Sequence, residues 1–228
     1  MTPAQLTGKS TEHIVAIAAL RCELHAGVKS AFLNMRKAAR IAGIDLLPAS
    51  AFRSFERQLQ IWNSKFSGAR VVLDADGVAL DVSNLSDDAR ISAILQWSAL
   101  PGASRHHWGT DLDLIDRNAM PAHYKVQLVA AEFAAHGPFE RLSDWLVQHA
   151  HDFGFFKPYC GVQSGVAAEP WHWSFADIAE PAREALTLEV LRDSLEDSAI
   201  LGLDALRHRL RQLHLNFVVN IDPPRWLA

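Results

Sequence analysis

The segment Asp111-Leu112-Asp113-Leu114-Ile115 alternates polar and apolar side chains. A period of two is that of a β-strand, which puts Leu112 and Leu114 on one face and Asp111, Asp113 and Ile115 on the other. A fold built around this strand must bury the leucines and give two carboxylates on one face something to do. The strand is entered through Pro101-Gly102 and a loop, Ala103 to Thr110, with almost no apolar periodicity. Histidines and carboxylates concentrate in that loop, Ser104-Arg105-His106-His107-Trp108-Gly109-Thr110, and in a second place, Glu169-Pro170-Trp171-His172.

Composition narrows the chemistry. Of 228 residues, 22 are Lys or Arg and 26 Asp or Glu, a formal net charge of −4. This argues against nucleic acid or an anionic membrane as partner, since both require a dense basic surface. The 11 His and only 2 Cys, Cys22 and Cys160, exclude a thiolate zinc framework or a disulfide scaffold and leave any metal to imidazole and carboxylate. The length buries a core without metal or disulfide staples. No stretch approaches the roughly 18 apolar residues of a spanning helix. Ile14 to Leu20 is apolar but flanked by Glu12, Arg21 and Glu23, which suits a helix start better than a leader. The expected location is cytoplasmic as written, or periplasmic if a leader has been removed; the oligomeric state is unknown.

Helical spacing of Ile14, Ile17, Ala18, Leu24, Val28, Ala31, Phe32, Met35 and Ala38 predicts one or two helices over 13–42, stopped by Gly43. Leu46 to Phe52 reads as a buried strand, followed by a helix carrying Phe55, Leu59, Trp62 and Phe66 and ended by Gly68. Val71 to Leu73 and Val78 to Leu80 flank Asp74-Ala75-Asp76-Gly77, a hairpin turn. Ser86 caps a helix reaching about Trp97. Residues 126–134 are strand or helix by pattern, Ser143 caps a helix, Phe153 to Phe156 is a short aromatic run, and Glu169 to Phe175 is a strand. Beyond Pro181 lie helices with Leu188, Leu191 and Leu195, then Leu203, Leu206, Leu210 and Leu213. No repeat or linker divides the chain, so the expectation is a single α+β domain over 1–228.

Neither HExxH nor HxxEH occurs, so a metal site would be assembled from loops and strands. His106, Asp113 and His172 would supply two imidazoles and a carboxylate, with Glu169 left as a base; a catalytic zinc takes three such ligands and one open position. On spacing alone these residues fit a hydrogen-bonded turn as well.

Ser104-x-His106-x-x-Gly109-x-x-x-Asp113, followed by Glu169-x-Trp171-His172, resembles the paired signature of the VanY-type D-alanyl-D-alanine carboxypeptidases. These belong to a zinc peptidase group that includes lysostaphin and the hedgehog signalling domain. Ser50-Ala51-Phe52-Arg53-Ser54 with Gln58 is similar to a third element of that family. The resemblance covers about residues 43–178, leaving helical flanks at 1–42 and 181–228. It implies a small antiparallel sheet carrying zinc and flanked by helices, with His106, Asp113 and His172 as ligands and Glu169 as general base and acid. It makes Arg53 a catalytic and substrate-binding residue, Ser104 a contact to the substrate's terminal carboxylate, and Gln58 a further substrate contact or a brace for the Arg53 loop. The family usually has a small residue where this chain has Asp111, which is expected to accept a hydrogen bond from behind a ligand histidine, ahead of competing as a ligand. The implied partners are peptidoglycan stem peptides or muropeptides, trimmed as a D,D-carboxypeptidase or as an L,D-carboxypeptidase on tetrapeptides in cell-wall recycling.

The remaining residues have plainer expectations. His107 points away from His106 in an extended loop, Trp171 and Trp173 face core or wall, and Arg207, Arg209 and Arg211 form a solvated basic patch. Two rival readings are a zinc-stabilised module that binds wall peptides without cleaving them, in which Glu169 would have no use, and an iron(II) oxygenase. The oxygenase typically sets its first His and carboxylate one residue apart, unlike His106 and Asp113.

Overall fold

The computed structural model describes residues 1–74, 77–161 and 165–224. A one-turn helix, α1 (Pro3–Leu6), opens on a capping box between Thr2 and Gln5. A β-hairpin follows, β1 (Ile14–Ile17) against β2 (Cys22–His25), turned through Ala18–Leu20 and a left-handed Arg21. The expected helix over 13–42 is therefore wrong in its first half. Ile14, Ile17 and Ala18 fit a helical spacing, but β-branched Ile14, Val15 and Ile17 favour a pleated strand, and pairing with β2 decides the matter. Helix α2 (Lys29–Ile41) supplies the second half, burying Phe32, Met35 and Ala39, and Gly43 follows its end with φ of 78°.

Strand β3 (Leu46–Ser50) leads through Ala51 to Arg53 into α3 (Phe55–Phe66), N-capped by Ser54. The short strands β4 (Val72–Leu73) and β5 (Ala79–Leu80) pair as expected; the turn between them includes residues 75 and 76, outside the described residues. Helix α4 (Asp87–Leu95) takes Ser86 as its cap. The alternating segment is β6 (Asp111–Asp116). Of 126–134 only α5 (Ala130–Phe133) is regular. Helix α6 (Glu140–His149) begins before Ser143, which lies inside it, so the expected cap is incorrect and Phe139 stands at the N-cap position. Strands β7 (Phe155–Phe156) and β8 (His172–Phe175) precede α7 (Ala176–Ala185), α8 (Leu188–Glu196) and α9 (Leu203–His214). Pro181 falls inside α7 and does not start it. No helix of the described residues is long and apolar enough to cross a membrane.

Four strands form one antiparallel sheet in the order β3-β6-β8-β7. Leu112 and Leu114 are completely buried beneath it with Phe32, Met35 and Leu46, each side chain contributing about 2 kcal/mol of burial. The register sets Asp113 beside Ser50 on one side and His172 on the other, and Asp111 beside Ser174. A second apolar core, with Trp62, Ile91, Leu191 and Leu206, joins α3 and α4 to the C-terminal helices.

The β1–β2 hairpin fastens two of the three segments that carry signature residues. Phe52 N–H donates to Glu23 O at 3.0 Å, and His25 N–H donates to Gly109 O at 2.8 Å. Gly109 ends the Arg105–Trp108 turn with φ of 67°. A Cβ there would lie 2.5 Å from Ile14 Cδ1 and 2.6 Å from His25 N, so only glycine allows this approach.

Candidate metal centre

His106, Asp113 and His172 meet in a cleft of about 610 Å³ whose wall also includes Arg53, Ser104 and Glu169. One ligand atom from each of the three lies within 4.8 Å of the others. His106 Nε2 is 3.4 Å from Asp113 Oδ2, and His172 Nδ1 is 3.4 Å from Asp113 Oδ1. Tetrahedral ligands about 2.0–2.1 Å from a zinc stand about 3.3 Å apart, so both separations suit edges of such a site. Asp113 Oδ1 is buried and has no hydrogen-bond partner among the described residues; a buried carboxylate oxygen left so is costly unless a cation satisfies it.

The ring protons are fixed from behind. His106 Nδ1 faces the carbonyl oxygens of Ala51 at 2.9 Å and Asp111 at 3.2 Å. Carbonyls only accept, so Nδ1 carries the proton and Nε2 turns a lone pair toward Asp113. His172 Nε2 donates to Asp111 Oδ1 at 2.9 Å, which leaves Nδ1 toward Asp113 and Glu169. Asp111 is fully buried and also takes Arg105 Nε at 2.8 Å, the Thr110 hydroxyl at 2.6 Å and the Ser174 hydroxyl at 3.1 Å. Burial by itself raises its pKa, but Arg105 and His172 hold it well below the usual carboxylate range. For His172, burial lowers the pKa, yet hydrogen bonds to Asp111 and Glu169 and the Asp113 charge outweigh it and push it up to about 10. The surroundings of Nδ1 thus favour positive charge, for which a metal cation and a proton compete. Three N/O donors, set tautomers and one side open to the cleft fit a zinc site of the catalytic kind.

Glu169 and His172 are brought together by a β-turn: His172 N–H donates to Glu169 O at 3.2 Å, with Pro170 where such turns favour proline. Glu169 Oε2 lies 3.0 Å from His172 Nδ1. Arg53 sits at the end of the β3 loop, its backbone N–H bonded to His106 O at 3.1 Å. Its guanidinium donates to Gln58 Oε1 at 2.9 Å and Ser50 Oγ at 3.0 Å. Burial lowers the Arg53 pKa while Asp113 and Glu169 act against this. Gln58 is completely buried, with its amide nitrogen donating to Ala99 O at 2.6 Å. Both its ends are occupied and it is not part of the cleft wall, so of its two expected roles the geometry offers the brace.

His107 lies outside the cluster. Its Nδ1 donates to Arg53 O at 2.6 Å, its Nε2 accepts from Gly102 N–H at 3.1 Å, and burial pushes its pKa down to about 3. Trp171 lines the cleft and packs on Phe133; Trp173 is buried. The expected basic patch is in part neutralised, because Arg207 pairs with Glu196 and Asp204, and Arg209 with Asp88.

Other participants escape a reading of the sequence. Arg105, Thr110 and Ser174 hold Asp111, and Tyr159 packs edge-on against His172 at 5.0 Å between ring centroids. Ser174 had a signal, because it follows His172 by two residues and shares its strand face. Arg105 answers the rule that a buried aspartate requires a counter-charge. Lys65 and Arg70, and from the C-terminal flank Leu213 and Phe217, also line the cleft.

This is an α+β fold in which the sheet, with His172 and Asp113, and the turn that enters it, with His106, present two imidazoles and a carboxylate to a cleft. Residues 21–178 match the VanY family, D-alanyl-D-alanine carboxypeptidase, and the chain belongs to that family. The match starts at 21, not about 43, and so takes in β2. Among relatives, a protein of Haemophilus influenzae is 47% identical over 103 residues, 44% of this chain and 70% of that protein. A D-alanyl-D-alanine carboxypeptidase of Enterococcus faecalis is 28% identical over 144 residues, 62% of this chain and 44% of that one. Two solved structures share the fold. VanYB in complex with D-alanine-D-alanine is 21% identical with a TM-score of 0.50, covering 81% of this chain and 88% of that one. A mutant VanY from a VanB-type resistance cassette, in complex with Zn(II), is 22% identical with a TM-score of 0.51, covering 82% and 93%.

Proposed function

We propose that this chain is a zinc metallocarboxypeptidase that removes the C-terminal D-alanine from peptidoglycan stem peptides, with zinc held by His106, Asp113 and His172. The observation that carries this reading is the convergence of those three side chains, at separations that suit a tetrahedral site, with Glu169 3.0 Å from His172. Bound there, zinc supplies a water of lowered pKa and polarises the scissile carbonyl. Glu169 takes the proton of the attacking water and returns it to the leaving amine. Arg53, held by Gln58 and Ser50, stabilises the negative charge that develops on the carbonyl oxygen. Ser104, on the same cleft wall, meets the substrate's terminal carboxylate. Asp111 keeps His172 in its working tautomer and orientation. Gln58 is a positioning residue. The whole chain acts as one unit, since Leu191, Leu213 and Phe217 beyond residue 181 line the same cleft.

The family description favours peptides ending D-Ala-D-Ala, and we take the D,D reading first. The test is to incubate the protein with muropeptide pentapeptide and tetrapeptide, with and without chelator, and follow D-alanine by mass spectrometry. Chelator-sensitive release from pentapeptide is expected; release from tetrapeptide alone would make it an L,D-enzyme. Binding without release from either would leave the wall-peptide binding module.

A further inference from the structure

The chain is acidic overall, yet one wall of its cleft is cationic. Helix α3 directs Ile61 and, one turn later, Lys65 into the cleft. After the helix the backbone folds back so that Arg70 N–H donates to Ser64 O at 2.8 Å, which sets Arg70 beside the last turn, and it too lines the cleft. Arg53 stands before the same helix. Arg53 has side-chain partners and a place in the proposed chemistry. Lys65 and Arg70 make no ion pair or side-chain hydrogen bond with any described residue. Lys65 is also more than an exposed lysine: burial, then the repulsion of Arg70 and Arg53, outweighs the pull of Glu169 and brings its pKa down to about 8. A half-buried ammonium that feels the charge of two guanidinium groups and makes no ion pair with a described residue is uncompensated, and an arriving anion relieves it.

We infer that Lys65 and Arg70 form an anion subsite on the cleft wall, which takes the second carboxylate of the stem peptide's diamino acid, the residue next to the scissile bond in a tetrapeptide and one residue further back in a pentapeptide. This rests on the carboxypeptidase reading of the site. The terminal carboxylate and the scissile carbonyl already have Ser104 and Arg53, so the two remaining cations face a different acidic group. A stem peptide whose diamino acid keeps its second carboxyl group free has one beside its side-chain ammonium; a stem peptide carrying lysine there has the ammonium without the carboxylate and is disfavoured.

The test uses the full chain and a matched pair of stem peptides, as tetrapeptide and as pentapeptide, with meso-diaminopimelate either as free acid or as its side-chain carboxamide. D-alanine release gives kcat/KM, and calorimetry on a Glu169→Gln variant gives binding of the uncleaved peptides. The free acid is expected to be favoured by about tenfold, and the double variant Lys65→Gln/Arg70→Gln to lose that preference while handling the carboxamide within about twofold of the parent. Equal loss on both peptides, or no preference in the parent chain, overturns the subsite. If neither peptide is turned over, the carboxypeptidase reading fails, and the calorimetric comparison still decides whether Lys65 and Arg70 select the carboxylate.

Discussion

Asp111 Oδ1 accepts the Nε2–H of His172 at 2.9 Å and the Nε–H of Arg105 at 2.8 Å. One buried oxygen therefore orients an imidazole and neutralises a guanidinium. Asp111→Asn keeps the shape and removes the charge. We expect zinc affinity to fall about 10- to 100-fold in a titration against a competing chelator. Denaturant melts should show a loss of roughly 3 kcal/mol or more, because Arg105 is left as an uncompensated buried charge. An asparagine variant with unchanged zinc affinity would remove Asp111 from its place behind the metal.

Glu169 and His172 are adjacent in space and separable in role. Glu169→Gln should retain zinc by elemental analysis and lose kcat by about 100-fold or more. His172→Ala should lose the metal. Full activity in Glu169→Gln would refute the proposed proton transfer.

Gln58 acts only through Arg53. Gln58→Leu is expected to lower kcat about tenfold with zinc content unchanged, while adding it to Arg53→Ala changes little further. Two losses that multiply in this cycle would give Gln58 an independent role.

Gly109 has a left-handed backbone pressed against β1 and β2. Gly109→Ala should destabilise by about 1–3 kcal/mol, a fall in Tm of roughly 2–4 °C per kcal/mol for a chain of this size. A melting temperature equal to the parent's counts against the tight approach.

Lys65 gives a pH signature. Its folded pKa of about 8 lies below the ordinary 10.5, so its charge is present below about pH 8 and lost as pH rises through it. The groups facing it are Arg70, Arg53 and Glu169. KM for the free-acid peptide should therefore climb above about pH 8, while KM for the carboxamide stays level across that range. Parallel profiles would exclude Lys65 from recognition.

The alternation at Asp111 to Ile115 and the Gly-bounded helix at Phe55–Phe66 were legible because each pattern admits one period. The hairpin at Ile14 to His25 was not. A short apolar run with partial helical spacing is ambiguous by itself, and its partner strand and the Gly109 loop it supports are tertiary facts. The same division holds at the site. His106, Asp113, Glu169 and His172 stand in motifs whose spacing survives in the sequence. The spacing of two places Ser174 on the face of His172, but the hold of Arg105 and Ser174 on Asp111 depends on strand register, and that of Gln58 on Arg53 on the angle at which a loop enters a helix; neither contact is written in a spacing.

The backbone of β2 grips Phe52 through Glu23 and Gly109 through His25, so two of the loops around the cleft hang from a single peripheral ribbon. We expect this ribbon to part from the sheet face that carries Asp113 and His172 without melting the leucines beneath. The Phe52 and His25 amides should then exchange with deuterium together, and faster than Leu112 or Leu114. A protease cut at the exposed Arg21 would silence the enzyme by letting two distant loops drift at once, while the sheet stayed folded.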